Sequence, residues 1–360
     1  MTKYKDIFEV VKYFRDTAPT PPPFLKGKPN DYYWVDARDS LPEGLEWVNC
    51  GRDFSPGQLM PSIFSGGLYR GQTEIYSPCR PRIYRGFPLV QRPRELSVKY
   101  RTRFLASQIK TTWFVSLLRE HPALRYARKL KIQINPNAIA QHYGISTDYL
   151  DLTQSIDVAA FFACCEQKDQ IWEPKSEGQG VIYRLNSFVS LERRRSIAEL
   201  VGLVTFPRPG EQKAWVVPVR MGFDFANAPQ VETFIFNHTF EGSRHYLNMF
   251  NLGKSLFLED PTAELAKSVI NSSEIPENFV TDVLLRFGCL PEKLKKTFKV
   301  FAKRLKYHCK LEVKKKVPIC FTKEHIRKIK LYLYRYKNDF MGIVHPVRTS
   351  NPQYLTNNRL

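Results

Sequence analysis

The chain has 360 residues, 43% hydrophobic, 25% charged and 13% aromatic, a globular composition that excludes disorder, a collagen helix and a coiled coil. Its longest uninterrupted apolar run, from Val158 to Cys165, is eight residues, far short of the roughly 20 a membrane helix needs, so no membrane partner is expected. The charge is less ordinary: 55 Lys and Arg against 35 Asp and Glu leave a formal +20, an excess that favours polyanionic partners, nucleic acid or an acidic surface.

Residues 6–15 carry helical spacing through Ile7, Val10, Val11 and Phe14, and Pro19 with Pro21, Pro22 and Pro23 ends that pattern. The stretch around Trp34, Trp47 and Val48 is aromatic and turn-rich, and residues 1–60 read as a segment wrapping over a main domain. Strand patterning begins over 63–70. Residues 97–119 form a long helix, with Phe104, Ile109, Trp113 and Leu117 near helical intervals and Pro122 just beyond its end. A short helix is expected over 137–143, with Asn137 as cap and Gly144 as terminator. Ser155 precedes a further helix over 157–168 whose Val158, Phe161, Phe162 and Cys165 face inward. Strands follow over 180–185, 214–219 and 232–236.

After Pro261 the texture changes. Residues 277–287, 292–306 and 323–337 read as helices. In the middle one Leu294, Phe298, Phe301 and Leu305 step by four, three and four, one apolar stripe opposite the lysines. Between Asp282 and Asp339 stand 18 basic and five acidic side chains, a net +13. Such a face either keeps the protein in solution or binds nucleic acid through phosphates. The expected architecture is therefore α+β: a mixed/antiparallel sheet core with flanking helices over 61–260, then a basic helical C-terminal appendage over 261–345 and a flexible tail over 346–360. No apolar leader follows Met1, and the seven cysteines form no Cys-x-x-Cys pair; adjacent Cys164 and Cys165 read as buried thiols, so a cytoplasmic setting is expected.

The residues that carry chemistry fall in two blocks. The first is Tyr69-Arg70-Gly71-Gln72, followed by Arg80-Pro81-Arg82-Ile83-Tyr84-Arg85. The second runs Ala140-Gln141-His142-Tyr143-Gly144-Ile145-Ser146-Thr147, then Leu150-Asp151-Leu152-Thr153 and Ala159-Ala160-Phe161-Phe162-Ala163. The Arg70 guanidinium can give two parallel hydrogen bonds to a phosphate, which Lys cannot imitate. Gly71 lets backbone approach a ligand without a Cβ. His142 and Tyr143 can stack on a ring or hold a ribose hydroxyl. Each has a structural alternative: Arg70 paired to Asp151 or Asp148, His142 and Tyr143 at a helix end, Asp151 and Thr153 as turn and capping residues, Glu232 facing solvent.

The two blocks, in this order, resemble the FRG domain family, and the resemblance spans about 63–238. Asp148 stands where the family has Arg, and Glu232 stands where glycine is usual in a Gln-x-Gly-x-Phe element. More distantly the arrangement is similar to the ADP-ribosyltransferase fold. That likeness implies NAD as substrate, held by Arg70, Gly71, Gln72, His142, Tyr143, Thr147, Thr153 and Gln230. Glu232, with Asp151 second, would be the carboxylate that stabilises an oxocarbenium-like state as the nicotinamide–ribose bond breaks. It further implies an ADP-ribosyltransferase or NAD glycohydrolase acting on a macromolecule, in the manner of a toxin or anti-phage effector held in check by an inhibitory partner protein. The other reading is a non-catalytic module that recognises a nucleotide or a phosphorylated end. No phosphate-binding Gly-rich loop, Gly-x-Ser-x-Gly elbow or paired zinc spacing occurs, so no metal is expected.

Overall fold

A computed structural model of the chain describes residues 2–17, 45–48, 58–61, 67–129, 134–169, 171–186, 198–201 and 206–335. Its strands are β1 (Thr2–Tyr4), β2 (Leu45–Val48), β3 (Gln58–Pro61), β4 (Leu68–Gln72), β5 (Tyr149–Thr153), β6 (Cys165–Lys168), β7 (Ile171–Pro174), β8 (Gln179–Leu185), β9 (Glu199–Leu200), β10 (Ala214–Pro218), β11 (Val231–Asn237), β12 (Glu274–Pro276) and β13 (Glu312–Lys314). Seven of them make the central sheet, in the order β1-β11-β8-β4-β5-β10-β9. Only β1 runs parallel to its neighbour, so the sheet is mixed and nearly all antiparallel, in keeping with the expected class.

The helices are α1 (Ile7–Asp16), α2 (Val98–Leu118), α3 (Pro122–Lys129), α4 (Pro136–His142), α5 (Ile156–Cys164), α6 (Pro207–Glu211), α7 (Phe240–Met249), α8 (Pro261–Asn271), α9 (Glu277–Arg286), α10 (Leu294–Cys309) and α11 (Lys323–Arg335). Among the described residues no helix is long and apolar enough to cross a membrane.

Strand alternation divides the side chains between two faces of the sheet. Tyr69, Ile182, Phe234 and Phe236 pack under α1, α5 and α7, whereas Leu68, Leu150, Leu152, Val181, Tyr183 and Trp215 form a second cluster. In α1 the Asp6 side chain accepts from the Glu9 amide, and Ile7, Val10, Val11 and Phe14 are the buried face that their spacing predicts.

Three of the boundaries that differ from the sequence reading have a clear physical reason. Asn135, not Asn137, caps α4: Pro136 takes the first helical position, and the Asn135 side chain accepts from the Asn137 amide. Helix α5 stops at Cys164 rather than 168, because residues 166–168 bring no apolar side chain; the chain turns through Asp169 (φ 48°) into the β6–β7 hairpin, which seats Trp172 4.9 Å from Phe161. Pro122 opens α3 instead of merely following α2, again as a proline in a first turn. The expectations for 18–44 and 346–360 lie outside the described residues, as do the last two positions of the helix expected to 337.

Helix α10 turns its stripe inward as its spacing requires: Phe301 and Leu305 are buried and Leu294 and Phe298 half-buried. They join a core that also holds Phe104, Ile109 and Trp113 of α2, Ala138 and Ile139 of α4, and Leu265 and Val269 of α8. The Lys110 ammonium on α2 donates to the carbonyls of Ile270 (2.6 Å) and Ser272 (3.0 Å), closing the C-terminal end of α8.

Candidate functional site

Strands β4 and β5 pair at one register position only, Tyr69 opposite Thr153. Past it the two strands carry no further pairs, and Arg70 reaches across the opening: its Nη1 donates to the Asp151 carbonyl at 2.8 Å, while its Nε is buried without a hydrogen bond. Beside it Cys79 gives its thiol to Gln72 Oε1 at 3.4 Å; burial raises the Cys79 pKa and the neighbouring Arg70 charge opposes that rise.

Three more arginines gather on the loop that follows β4. Arg80 donates to the Phe87 carbonyl (2.7 Å), Arg82 to that of Gly144 (3.4 Å) and Arg85 to that of Arg80 (3.3 Å). Like Arg70, each is held by main-chain oxygen, and none of the four forms an ion pair with a described carboxylate. Burial, then the charge of Arg70, lowers the Arg85 pKa. Arg85 thus feels the charges of both Arg70 and Arg82, with Asp151 opposing them.

Asp151 supplies the nearest acid. Its Oδ2 accepts from Gln141 Nε2 at 3.0 Å, and its Oδ1 lies 3.7 Å from His142 Nδ1. Oδ1 is buried without a hydrogen bond, although the side chain as a whole keeps 41% of its exposure, so the other oxygen faces outward. Burial acts to raise the carboxyl pKa, but His142, Arg70 and Gln141 together hold it below the ordinary value. The His142 side chain is only 5% exposed, and neither ring nitrogen has a hydrogen bond. Gln141 is the positioning residue: its Oε1 accepts from Thr147 Oγ1 at 2.8 Å while its amide holds Asp151. The structure therefore brings together Arg70, Gln72, His142, Thr147 and Asp151.

Other predicted residues are placed elsewhere. Tyr143 turns away from His142 and donates its hydroxyl to Asp260 Oδ2 at 2.8 Å, beneath the Arg208 guanidinium; burial, then Asp260, raises its pKa well above normal. Asp260 in turn caps α8 through the amides of Thr262 and Ala263. Thr153 is a turn residue, donating to the Gln212 carbonyl (2.7 Å) and accepting from the Ser155 amide (3.0 Å). The missing Cβ of Gly71 serves packing: one built there would stand 1.8 Å from the Ala159 carbonyl oxygen, so α5 lies directly on β4. Gln230 sits just before β11, its carbonyl accepting from the Asn186 amide.

Glu232 does not meet Arg70. It forms an ion pair with Arg184 on β8 and stays 49% exposed. In register, Glu232 faces Arg184, which faces Tyr69, so two strand spacings of ~4.8 Å separate it from β4. By alternation it shares the face of Tyr69, not that of Arg70. The expected pairing of Arg70 with Glu232 in one pocket is corrected on these grounds. Gln141, Arg80, Arg82 and Arg85 stand in the two motif blocks but had no site role in the sequence reading; the available signal was four arginines within 70–85 against the lone acid Glu74. Among the described residues no three His, Cys, Asp or Glu side chains gather as ligands for a metal ion.

Residues 65–171 match the family model of the FRG domain. That span contains Arg70, the three loop arginines, Gln141, His142, Thr147 and Asp151, and excludes Gln230 and Glu232. No curated protein and no solved structure matches the chain.

Proposed function

We propose that the FRG domain of this chain, residues 65–171, binds a phosphorylated nucleotide of the NAD class at the arginine-lined opening between β4 and β5. One observation carries the reading: Arg70, Arg80, Arg82 and Arg85 are bonded to carbonyls and paired with no described carboxylate. Crowded guanidinium groups repel one another, and a diphosphate relieves that repulsion through charge-assisted, bidentate hydrogen bonds. Among the described residues the buried Arg70 Nε has no hydrogen-bond acceptor.

A second reading, NAD cleavage in the manner of an ADP-ribosyltransferase or NAD glycohydrolase, draws support from Asp151. Its carboxyl is held in the ionised form beside Arg70, where a negative charge would stabilise an oxocarbenium-like ribose. In this reading Asp151 takes the role that the resemblance assigned to Glu232. Transfer to a macromolecule, and a toxin or anti-phage role, rest on the resemblance alone.

Calorimetric titration with NAD and ADP-ribose tests the binding. Arg70→Lys keeps the charge and loses the fork, so affinity should fall at least about tenfold; equal affinity would remove Arg70 from the site. A nicotinamide-release assay tests the chemistry. Asp151→Asn should lower release by about 10²–10³ with NAD affinity changed far less, because the carboxylate acts on charge present only in the transition state. Glu232→Gln should leave release unchanged. If the wild-type chain binds NAD and releases no nicotinamide, the cleavage reading fails and the binding reading stands.

A further inference from the structure

Away from the FRG-domain opening, α3 and α11 flank a cleft of about 480 Å³, within the ~300–1,000 Å³ of ligand-binding clefts. Its floor is apolar, with Leu117, Phe321 and Leu333; its rim is basic, with Arg125, Lys129 and Lys330. Arg125 is committed to an ion pair with Glu120. Lys129 and Lys330 are exposed and form no ion pair with an acid among the described residues, and the same holds for Arg128, Lys323 and Arg335 on the same two helices. Glu120 is the one acid of the lining and Arg125 answers it, so an aromatic and aliphatic floor lies between two walls that each keep an unpaired lysine, Lys129 and Lys330, and that combination matches one kind of ligand. A single-stranded nucleic acid offers regularly spaced phosphates to the walls and unpaired base faces to the floor. A duplex hides those faces, and an acidic peptide has no flat apolar face to lay on Phe321.

We propose that this cleft binds single-stranded nucleic acid, with the backbone on Lys129 and Lys330 and bases against the floor. The lysines of α10 make a useful contrast. Lys295, Lys299, Lys303 and Lys306 are exposed on its outward face and lie outside the lining of this cleft. Charge is equally dense there, but the floor is missing. The cleft is separate from the arginine-lined opening, so failure here leaves the nucleotide reading untouched.

Fluorescence anisotropy on the full chain decides the matter, with a labelled oligothymidylate of about 20 nucleotides, a duplex of equal length and polyglutamate as competitor. Single-stranded DNA should bind at least about tenfold more tightly than duplex. Its log affinity should fall with log salt by roughly 0.7 for each phosphate neutralised. Lys129→Glu with Lys330→Glu should cost at least tenfold and flatten the salt slope, and Phe321→Ala should weaken single-strand binding alone. Lys129→Ala with Lys330→Ala, whose thermal unfolding should match wild type, should weaken binding in the same sense and so separates loss of contact from loss of fold. The proposal is overturned by equal or tighter duplex binding, by unchanged affinity in the Lys129/Lys330 variants, or by loss confined to Lys295→Glu with Lys303→Glu. Displacement by polyglutamate at matched charge would assign the cleft to acidic peptides instead.

Discussion

At a helix end, neighbouring residues point in different directions, and His142 and Tyr143 show how much this matters. His142 closes on Asp151, whereas Tyr143 reaches Asp260, 117 residues further along the chain. Both were visible in the sequence as a motif; which one enters the site depends on helix phase, and α4 begins one residue earlier than its apparent cap. Arg70 and Asp151 were legible as a candidate pair because residue type and motif order sufficed. Glu232 was not, since its partner is fixed by the register of β11 on β8, which no local pattern encodes. Gly71→Ala is expected to be structural in effect. Its Cβ would meet the Ala159 carbonyl, so α5 must lift from β4 at a cost of about 1–3 kcal/mol or more, read by urea denaturation. Asp151 has a pH signature. Its pKa is depressed on folding, so its contribution is present above the unfolded carboxylate value and is lost as pH falls through the folded one. Asp151→Asn should be less stable than wild type at pH 7, and the gap should close below about pH 4; a gap independent of pH would show that the charge is not what stabilises.

Among the elements, α1 and α10 were readable because one apolar stripe governs each, and α2, β8 and β10 because their apolar runs are buried on more than one side. Helix α5 was over-extended, since its apolar run continues to Cys165 while the decisive contact, Trp172 on Phe161, comes from the next hairpin. Helices α3, α7 and α8 start with prolines or polar caps whose meaning depends on what precedes them. The two faces of α10 make opposite predictions. Leu305 is fully buried, so Leu305→Ala should lower stability by about 2–5 kcal/mol. Lys299→Ala, six residues away on the exposed face, should stay within about 0.5 kcal/mol. Chemical denaturation of both variants tests whether the stripe, rather than the lysines, holds this helix in place.

For the molecule as a whole, His121 ties stability to acid. It lies between α2 and α3, stacked 4.4 Å from Phe206 and edge-on to Phe321. Its Nδ1 accepts from the Ala123 amide, so the neutral ring carries its proton on Nε2, facing Thr262 Oγ1 of α8. A second proton would set Nδ1–H against an N–H, in a buried site. Burial accordingly lowers the His121 pKa to about 3. Between that value and the unfolded ~6.5 the unfolded chain binds the extra proton, so stability rises with pH across this window by an order of a few kcal/mol. Stability measured from pH 4 to 7 should show that slope, and His121→Gln should lose it; an unchanged slope in the variant would assign the acid limb to other groups.

The core shared by α2, α4 and α8–α10 has a thermodynamic consequence. Helix α2 lies inside the family-matched span, yet its buried side chains pack on helices beyond it, and Tyr143 fastens the second motif to the cap of α8. The family-matched α2 and α4 and the helices beyond them share one interior, so differential scanning calorimetry should give one cooperative heat-absorption peak. A ligand held in the β4–β5 opening would then raise the melting temperature of the basic helices as well, by the same mass-action increment that it confers on the sheet.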